Sequence, residues 1–121
     1  MLFTESLKSN LDFRTVYKSG KSRANQYLVM IVLKKKDPVN EELKRSYNRL
    51  GISVSKKVGN SVIRHKIKRL VKESYRLHEK MFNSGLDIVV IARSGAADLG
   101  FYDVESALLH LSKLHGINKD R

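Results

Sequence analysis

The sequence predicts a single α+β domain in which helices pack on a small mixed sheet, in the order helix, strand, strand, helix, strand, helix. Three observations support this fold class. A chain of 121 residues is long enough to bury one core without a metal or a disulfide. Apolar residues recur at helical spacing in three segments and form strand-like runs in three others. No internal repeat and no linker rich in Gly, Ser or Pro divides the chain, so we expect one domain over residues 1–121.

The first half of the chain is predicted to contain one short helix and two strands. Ser9 is a typical N-cap, and the apolar residues after it share one face before a glycine, which predicts a helix over residues 10–18. Residues 27–33 are apolar on both alternating faces, as in a strand buried on both sides. Residues 50–54 alternate apolar side chains with Gly and Ser, which predicts a second strand. The polar segment 34–48 contains the only proline and is predicted to be a long exposed hairpin connection.

The second half is predicted to contain a long helix, a buried strand and a final helix. Apolar spacing predicts an amphipathic helix of about six turns over residues 60–82, with Asn60 as its N-cap and Gly85 as its terminator. The β-branched run 88–91 predicts a strand buried between layers, and Gly116 should end the final helix. A helix between two strands indicates a βαβ unit, with two helices covering one face of the sheet. The residues expected to face the core are Ile63, Ile67, Leu70, Ser74, Leu77 and Met81 in the long helix, and Phe101, Val104, Leu108, Leu111 and Leu114 in the final helix.

The positive charge is the outlying feature of the composition. Lys and Arg number 24 against 12 Asp and Glu, a formal net charge of +12. A protein this basic needs a polyanionic partner, and nucleic acid is the commonest one because each neutralised phosphate releases counterions. The absence of cysteine excludes disulfides, thiolate nucleophiles and cysteine-bound zinc, and it fits a cytoplasmic protein. The N-terminus does not resemble a signal peptide, and no apolar run approaches the roughly 20 residues of a membrane span, so no membrane partner is expected.

Much of this charge is concentrated in residues 56–80. This segment contains nine Lys or Arg and two Glu, a net charge of +7. At about 100° per residue, Arg64, Lys68 and Lys72 stack along one line of the predicted helix. A face that only keeps a helix soluble usually interleaves charges of both signs. The uncompensated charge therefore favours a phosphate-binding surface over a merely solvated face.

The chain resembles a known family most clearly at residues 56–69. These residues read KKVGNSVIRHKIKR, which is close to the signature K-K-x-G-N-A-V-x-R-N-R-x-K-R of the bacterial ribonuclease P protein. Residues 10–20 resemble the N-terminal helix of that family, and residues 87–93 resemble its last strand, so the likeness spans nearly the whole chain. It implies an α+β sandwich similar to domain 2 of ribosomal protein S5, with a left-handed βαβ crossover.

The resemblance implies a function as the RNA-binding protein subunit of ribonuclease P, a ribonucleoprotein endonuclease that removes the 5′ leader from precursor tRNA. Catalysis in that family belongs to the RNA subunit, so no catalytic residue and no metal ligand is expected in this chain, and Mg²⁺ is held mainly by the RNA. The implied partners are ribonuclease P RNA and the leader of precursor tRNA, with no obligate protein partner. The implied RNA-binding residues are Lys56, Lys57, Asn60, Arg64, His65, Lys66, Lys68, Arg69 and Lys72. The implied cleft for the single-stranded leader lies between the first helix and the central sheet and contains Phe13 and Tyr17.

Some positions depart from the family pattern. His65 and Lys66 stand where the family usually has Asn and Arg, and Ser61 replaces a usual Ala. Lys66 keeps the positive charge but loses the bidentate phosphate geometry of arginine. Ile31 stands where relatives often place an aromatic residue in the cleft, and this change is expected to weaken stacking on leader bases.

The residues alone leave two assignments open. Phe13 and Tyr17 lie four residues apart on one helical face, which fits either core packing or stacking on unpaired RNA bases.

The function also has alternatives. A ribosomal protein or RNA chaperone of the same fold would share the charge, but such a function does not predict the full motif between its two matching flanks. A protein nuclease would need two or three carboxylates around Mg²⁺, which the basic helix lacks. The four histidines show no metal-ligand spacing with a third ligand nearby.

Overall fold

A computed structural model describes residues 1–35, 39–40 and 45–119, and it contains two sheets and three helices in this part of the chain. The strands are β1 (Thr4–Ser6), β2 (Lys21–Ala24), β3 (Leu28–Lys34), β4 (Val39–Asn40), β5 (Arg45–Ser46), β6 (Asn48–Ser53) and β7 (Leu86–Ala92). The helices are α1 (Asn10–Ser19), α2 (Ser61–His78) and α3 (Phe101–His115). Short 3-10 turns follow α2 at Glu79–Met81 and β7 at Ser94–Ala96.

The main sheet has five strands in the order β1-β6-β7-β3-β2. Strand β6 pairs in parallel with both β1 and β7, whereas β3 pairs antiparallel with β7 and β2. The segment β6–α2–β7 is the predicted βαβ unit, and the predicted α+β class is confirmed. The predicted order of elements omitted the two edge strands, β1 and β2. The predicted connection 34–48 lies partly outside the described residues, and its described part includes the short antiparallel pair β4–β5.

The sheet carries apolar cores of unequal size on its two faces. On one face, α2 and α3 pack over the strands, and fully buried residues such as Leu28, Ile67 and Leu108 belong to this larger core. On the other face, α1 packs over β3 and β7. The smaller core there consists of Leu7, Val16, Ile31 and Val89. Ile31 is thus held under α1, because its strand position points towards that face.

The ends of α1 and α3 and the start of α2 follow the predicted caps. The side chain of Ser9 accepts a hydrogen bond from the N–H of Asp12 at 3.0 Å, and Gly116 ends α3 in the left-handed conformation. The predicted terminator Gly85 is wrong, because α2 ends at His78 and a 3-10 turn follows at Glu79–Met81.

Two predicted core residues are also wrong. Leu77 is 53% exposed and Leu114 is 49% exposed. The buried line of α2 runs through Ile67, Val71, Ser74 and Tyr75, which leaves Leu77 on the exposed side of the helix. None of the helices in the described residues is both long and apolar enough to cross a membrane.

Candidate nucleic-acid interface

A tight turn sets where α2 begins, and two residues of the predicted motif form it. A Cβ atom added at Gly59 would lie 2.9 Å from the Ile63 side chain, so only glycine fits there without displacement. Asn60 is the N-cap, and its side-chain oxygen accepts a hydrogen bond from the N–H of Ile63 at 3.0 Å. These two positions fix the start of the helix and therefore the direction in which its basic side chains point.

The basic stripe of α2, which we define as Arg64, Lys68, Arg69 and Lys72, runs along the side of the helix that faces away from the core. Lys68, Arg69 and Lys72 are exposed. Arg64 is half-buried, and its Nε atom is buried without a hydrogen-bond partner in the described residues. An unpaired buried guanidinium donor is costly unless a ligand supplies an acceptor. The stripe thus presents cationic groups that the described part of the fold does not neutralise.

Arg76 differs from the residues of the basic stripe because its charge is already paired. Its guanidinium donates two hydrogen bonds to the Glu73 carboxylate one turn away. These bonds raise the pKa of Arg76 and lower the pKa of Glu73. The uncompensated part of the helix is therefore its first three turns.

A cavity of about 650 Å³ separates the basic stripe from the N-terminal edge of the sheet. Its walls come from β1, from the middle of β6 and from α2, and Phe13 of α1 closes one end. The cavity thus joins a cationic wall to an aromatic ring. It is lined by Met1, Thr4, Glu5, Ser6, Leu7, Phe13, Leu50, Gly51, Ile52, His65, Lys68, Arg69 and Lys72.

A second cavity of about 510 Å³ lies between α1 and the end of β6. Tyr17 is 44% exposed and lines this cavity, so it does not belong to the core. Phe13 is half-buried and lines both cavities, and its ring centroid lies 6.1 Å from that of Tyr17. The second cavity is lined by Asn10, Phe13, Arg14, Tyr17, Ile52, Ser53, Val54 and Lys68.

A charged network fixes α1 against the sheet and so sets the position of both aromatic rings. The guanidinium of Arg49 on β6 donates to Asp12 of α1 at 2.9 Å and to Asp87 of β7 at 2.7 and 2.9 Å. Hydrogen bonding to Asp87 raises the pKa of Arg49. Lys35 lies 3.7 Å from the same Asp87 carboxylate, and burial lowers the pKa of Lys35. Arg49 thus links α1 to the two central parallel strands.

A second polar network holds β1, the outer wall of the first cavity. Glu79 is buried, and its carboxylate accepts hydrogen bonds from the N–H groups of Leu2 at 2.8 Å and Phe3 at 3.3 Å. The Tyr75 hydroxyl lies 2.9 Å from the Thr4 hydroxyl. Both anchors stand at the C-terminal end of α2, so the long helix supplies one wall directly and positions the opposite wall.

The structure brings only some of the predicted RNA-binding residues together. His65, Lys68, Arg69 and Lys72 line the first cavity, and Arg64 lines a small adjoining cavity of about 160 Å³ with Ser61, His65 and Lys68. Lys56 and Lys57 are exposed in the turn before α2, outside these cavities. Asn60 uses its side-chain oxygen for capping. Lys66 lies roughly 160° around the helix from Arg64 and Lys68 but only about 60° from Arg69, and it does not line any of these three cavities.

Sequence reasoning missed several residues that line the cavities. Arg14 and Asn10 share the exposed side of α1 with Tyr17, and their spacing of three and four residues was a usable signal. The strand residues Gly51 and Ile52 carried no such signal, because a strand pattern does not reveal which edge stays open. Within the described residues, no three His, Cys, Asp or Glu side chains converge into a group that could hold a metal ion.

Comparisons with known proteins agree with this architecture. Residues 1–115 match the model of the family described as Ribonuclease P. The ribonuclease P protein component of Lachnoclostridium phytofermentans is 58% identical over 114 residues, which cover 94% of this chain and 91% of that relative. The corresponding protein of Clostridioides difficile is 46% identical over 91% of this chain and 90% of its own length.

Two solved structures support the same assignment. The RNase P protein of Staphylococcus aureus superimposes with a TM-score of 0.82 at 37% identity, over 94% of this chain and 97% of that one. The RNase P protein of Thermotoga maritima gives a TM-score of 0.76 at 34% identity, over 91% and 96% of the two chains. The resemblance at residues 56–69 is thus confirmed by sequence and by fold, and the chain belongs to the family of ribonuclease P protein components.

Proposed function

We propose that this subunit of ribonuclease P holds the single-stranded 5′ leader of precursor tRNA in its two cavities, while the basic stripe binds phosphates of the ribonuclease P RNA. The observation that carries the proposal is the meeting of Phe13, Tyr17 and Lys68 around the second cavity. Unpaired bases stack on aromatic rings, and a cation beside the rings neutralises the accompanying phosphate. We call the two cavities together the groove. A mature tRNA has no leader and would leave this groove empty.

The position of the stripe suggests how the protein assists the reaction. Lys68 lines both cavities, and Arg64 points into a separate small cavity beside it. The same side of α2 therefore faces the leader and borders the surface proposed for the catalytic RNA. Two polyanions repel each other, and cations placed between them reduce that repulsion. We assign bond cleavage and Mg²⁺ binding to the RNA, and we place the complex in the cytoplasm on the basis of the cysteine-free sequence.

Three carboxylates around the two cavities support the assignment of the chemistry to RNA. A protein nuclease that uses metal ions needs several convergent carboxylates. Asp12 and Asp87 are both engaged by Arg49, and Glu79 is engaged by backbone N–H groups of the N-terminal segment. These groups hold the walls of the groove in place, and we give them no part in bond cleavage.

Reconstitution tests the proposal as a whole. The protein is mixed with a bacterial ribonuclease P RNA at low Mg²⁺, and the cleavage of precursor tRNA is measured with and without the protein. We expect cleavage only when both subunits are present, with the leader released intact. Cleavage by the protein alone would contradict the assignment of the chemistry to RNA.

The leader-binding role of the groove is tested by Tyr17→Leu, with Tyr102→Leu as its control. Tyr17 is 44% exposed and Tyr102 on α3 is 80% exposed, so neither change should alter the melting temperature much. Tyr17→Leu should weaken precursor tRNA binding by roughly 1–3 kcal/mol and leave mature tRNA binding unchanged, because it removes the flat stacking surface. Tyr102→Leu should change neither affinity. Equal precursor affinity in the wild type and in both variants would remove Tyr17 from the site.

A further inference from the structure

The open edge of β6 supplies a third recognition element between the aromatic ring and the basic stripe. Along a parallel pair, the N–H and C=O groups of alternate residues point to the same neighbouring strand. The N–H of Asn48 donates to Phe3, and the C=O of Leu50 accepts from the N–H of Leu7, both at 2.9 Å. The backbone groups of Ile52 point to this same edge, but β1 pairs only as far as Leu50.

Ile52 is therefore the position where the sheet edge opens into the groove. Within the described part of the chain, no hydrogen bond joins its backbone N–H or C=O to a group on that side. Ile52 lines both cavities, and the other two residues shared by both cavities are Phe13 and Lys68. An open donor and acceptor, an aromatic ring and a cation thus meet at the junction of the two cavities.

The three groups reach this junction from different directions. A Cβ atom added at Gly51 would lie 2.6 Å from Phe13, so the phenyl ring lies directly against the α1 side of β6. The Ile52 side chain packs on the opposite face, in the core beneath α2. Lys68 comes from α2 itself. The backbone edge of Ile52 lines the same two cavities as the ring and the ammonium group.

We propose that one unpaired base of the leader hydrogen-bonds to the backbone N–H and C=O of Ile52, with its ring against Phe13 and its phosphate at Lys68. This inference rests on the proposed function and adds to it a contact to the polar edge of a base. Every nucleobase carries a donor beside an acceptor on that edge, so a single backbone position suffices to bind it.

The short length of the open edge favours a base over a peptide strand. A peptide that extends a sheet gains its affinity from several consecutive backbone hydrogen bonds. Here β1 already occupies the edge as far as Leu50, and only Ile52 of β6 remains open on that side. The basic residues around the groove also match a phosphate backbone, and they offer no reason for a neutral peptide to bind.

The test uses leader analogues in the reconstituted holoenzyme. Precursor tRNAs are prepared in which adenosine at one leader position at a time is replaced by 1-deazaadenosine, which keeps the ring but lacks the N1 acceptor. With wild-type protein, we expect one position at which the analogue weakens binding roughly two- to tenfold, the range for one neutral hydrogen bond. Neighbouring positions should tolerate the replacement.

Two variants of Ile52 connect this sensitivity to the backbone. Ile52→Pro removes the N–H, and proline is tolerated where the N–H of an edge strand faces outwards. Ile52→Ala keeps the N–H and loses a similar part of the side-chain packing, so it is the matched control. The analogue effect should persist in Ile52→Ala and disappear in Ile52→Pro.

Sensitivity at one position that only the proline variant abolishes supports the contact. No sensitive position, or equal sensitivity in both variants, overturns it, and a peptide partner at this edge would give the same absence of any analogue effect. If Ile52→Pro does not fold, the scan on the wild type decides alone. A leader that still adds affinity without any sensitive base would reject this contact and leave the proposed function standing, whereas a leader that adds none would reject both.

Discussion

Gly51 shows how a single missing side chain shapes the groove. Phe13 lies where the Cβ of any other residue at position 51 would be, and Leu7 lies 3.2 Å from the same point. The close approach lets α1 sit low on the sheet, which leaves Tyr17 beside the end of β6. The family resemblance gave Gly51 no role, because the requirement comes from a ring that is distant in sequence.

Gly51→Ala should therefore damage both stability and leader binding. The added methyl group would lie 2.6 Å from Phe13 Cζ and must displace the ring, at a cost of about 1–3 kcal/mol in unfolding free energy. The affinity for precursor tRNA should fall relative to mature tRNA, as measured by titration of the reconstituted holoenzyme. Gly95→Ala is the control, because its nearest contact would be an ordinary 3.6 Å. Similar stability of the two variants would show that the Phe13 ring moves freely.

His115 should make the stability of the protein depend on pH. Its Nε2–H donates to the Met30 carbonyl at 2.8 Å, and burial lowers the pKa of His115 in the folded state. The folded state therefore takes up a proton less readily than the unfolded chain. The contribution to stability is fully present above the unfolded-state pKa of about 6.5 and is lost as the pH falls through the lower folded-state value.

Urea unfolding at pH 7.5 and pH 5.0 measures this dependence. The wild type should lose unfolding free energy at the lower pH, and His115→Gln should lose less, because an uncharged amide can donate to the same carbonyl. An identical pH dependence in the two proteins would assign the effect to other groups.

At the scale of elements, the sequence predicted the helices and strands that carry a pattern of apolar residues, and it missed the strands that carry none. The helix α2 was predicted because its apolar residues recur at helical spacing, and the strands β3 and β7 were predicted because each is a continuous apolar run. Strand β2 (Lys21–Ala24) is exposed at every position, so it has no apolar face to detect. Strand β1 has only three residues and forms because Asn48, Tyr75 and Glu79 hold it. The basic stripe was likewise predictable from helical spacing, but the open edge of β6 depends on where β1 ends.

In the network around Arg49, loss of Asp12 should lower the unfolding free energy much less than loss of Arg49 itself. Asp12→Ala removes a partner that is 35% exposed, so we expect a loss of about 0.5–1 kcal/mol in unfolding free energy. Arg49→Ala leaves Asp87, whose side chain is 5% exposed, with Lys35 as its one ion-pair partner among the described residues, so we expect a loss of about 3 kcal/mol. Chemical denaturation of both variants provides the measurement. Equal losses would mean that Lys35 compensates Asp87 fully.

At the scale of the whole molecule, the net charge of +12 is distributed unevenly. Sequence alone could assign the excess to residues 56–80 and place Arg64, Lys68 and Lys72 on one line of the helix, but it could not show that Lys68 and Lys72 face the cavity beside β6. The structure separates Lys66 from Lys68 by half a turn of helix, although the two are neighbours in the motif. It also pairs Arg76 with Glu73, which removes one cation from the uncompensated set.

Binding to the ribonuclease P RNA should depend steeply on salt. If about five phosphates are neutralised, the slope of log affinity against log salt should be near −4. Arg64→Ala should make that slope shallower by about 1, because it removes one phosphate contact outside the two leader cavities. Lys113→Ala on α3 is the control and should leave the slope unchanged. A wild-type slope flatter than about −1 would show that the stripe is not the main binding surface.

The attachment of β1 has a consequence for the order in which the binding groove is completed. The N-terminal segment emerges from the ribosome before the residues that hold it, which include Asn48, Tyr75 and Glu79, the last more than 70 residues later in the chain. The outer wall of the first cavity therefore cannot close until α2 has been synthesised in full. A nascent chain that exposes its basic residues before that point carries the charge needed to attract RNA but not the enclosed groove that would discriminate among RNAs.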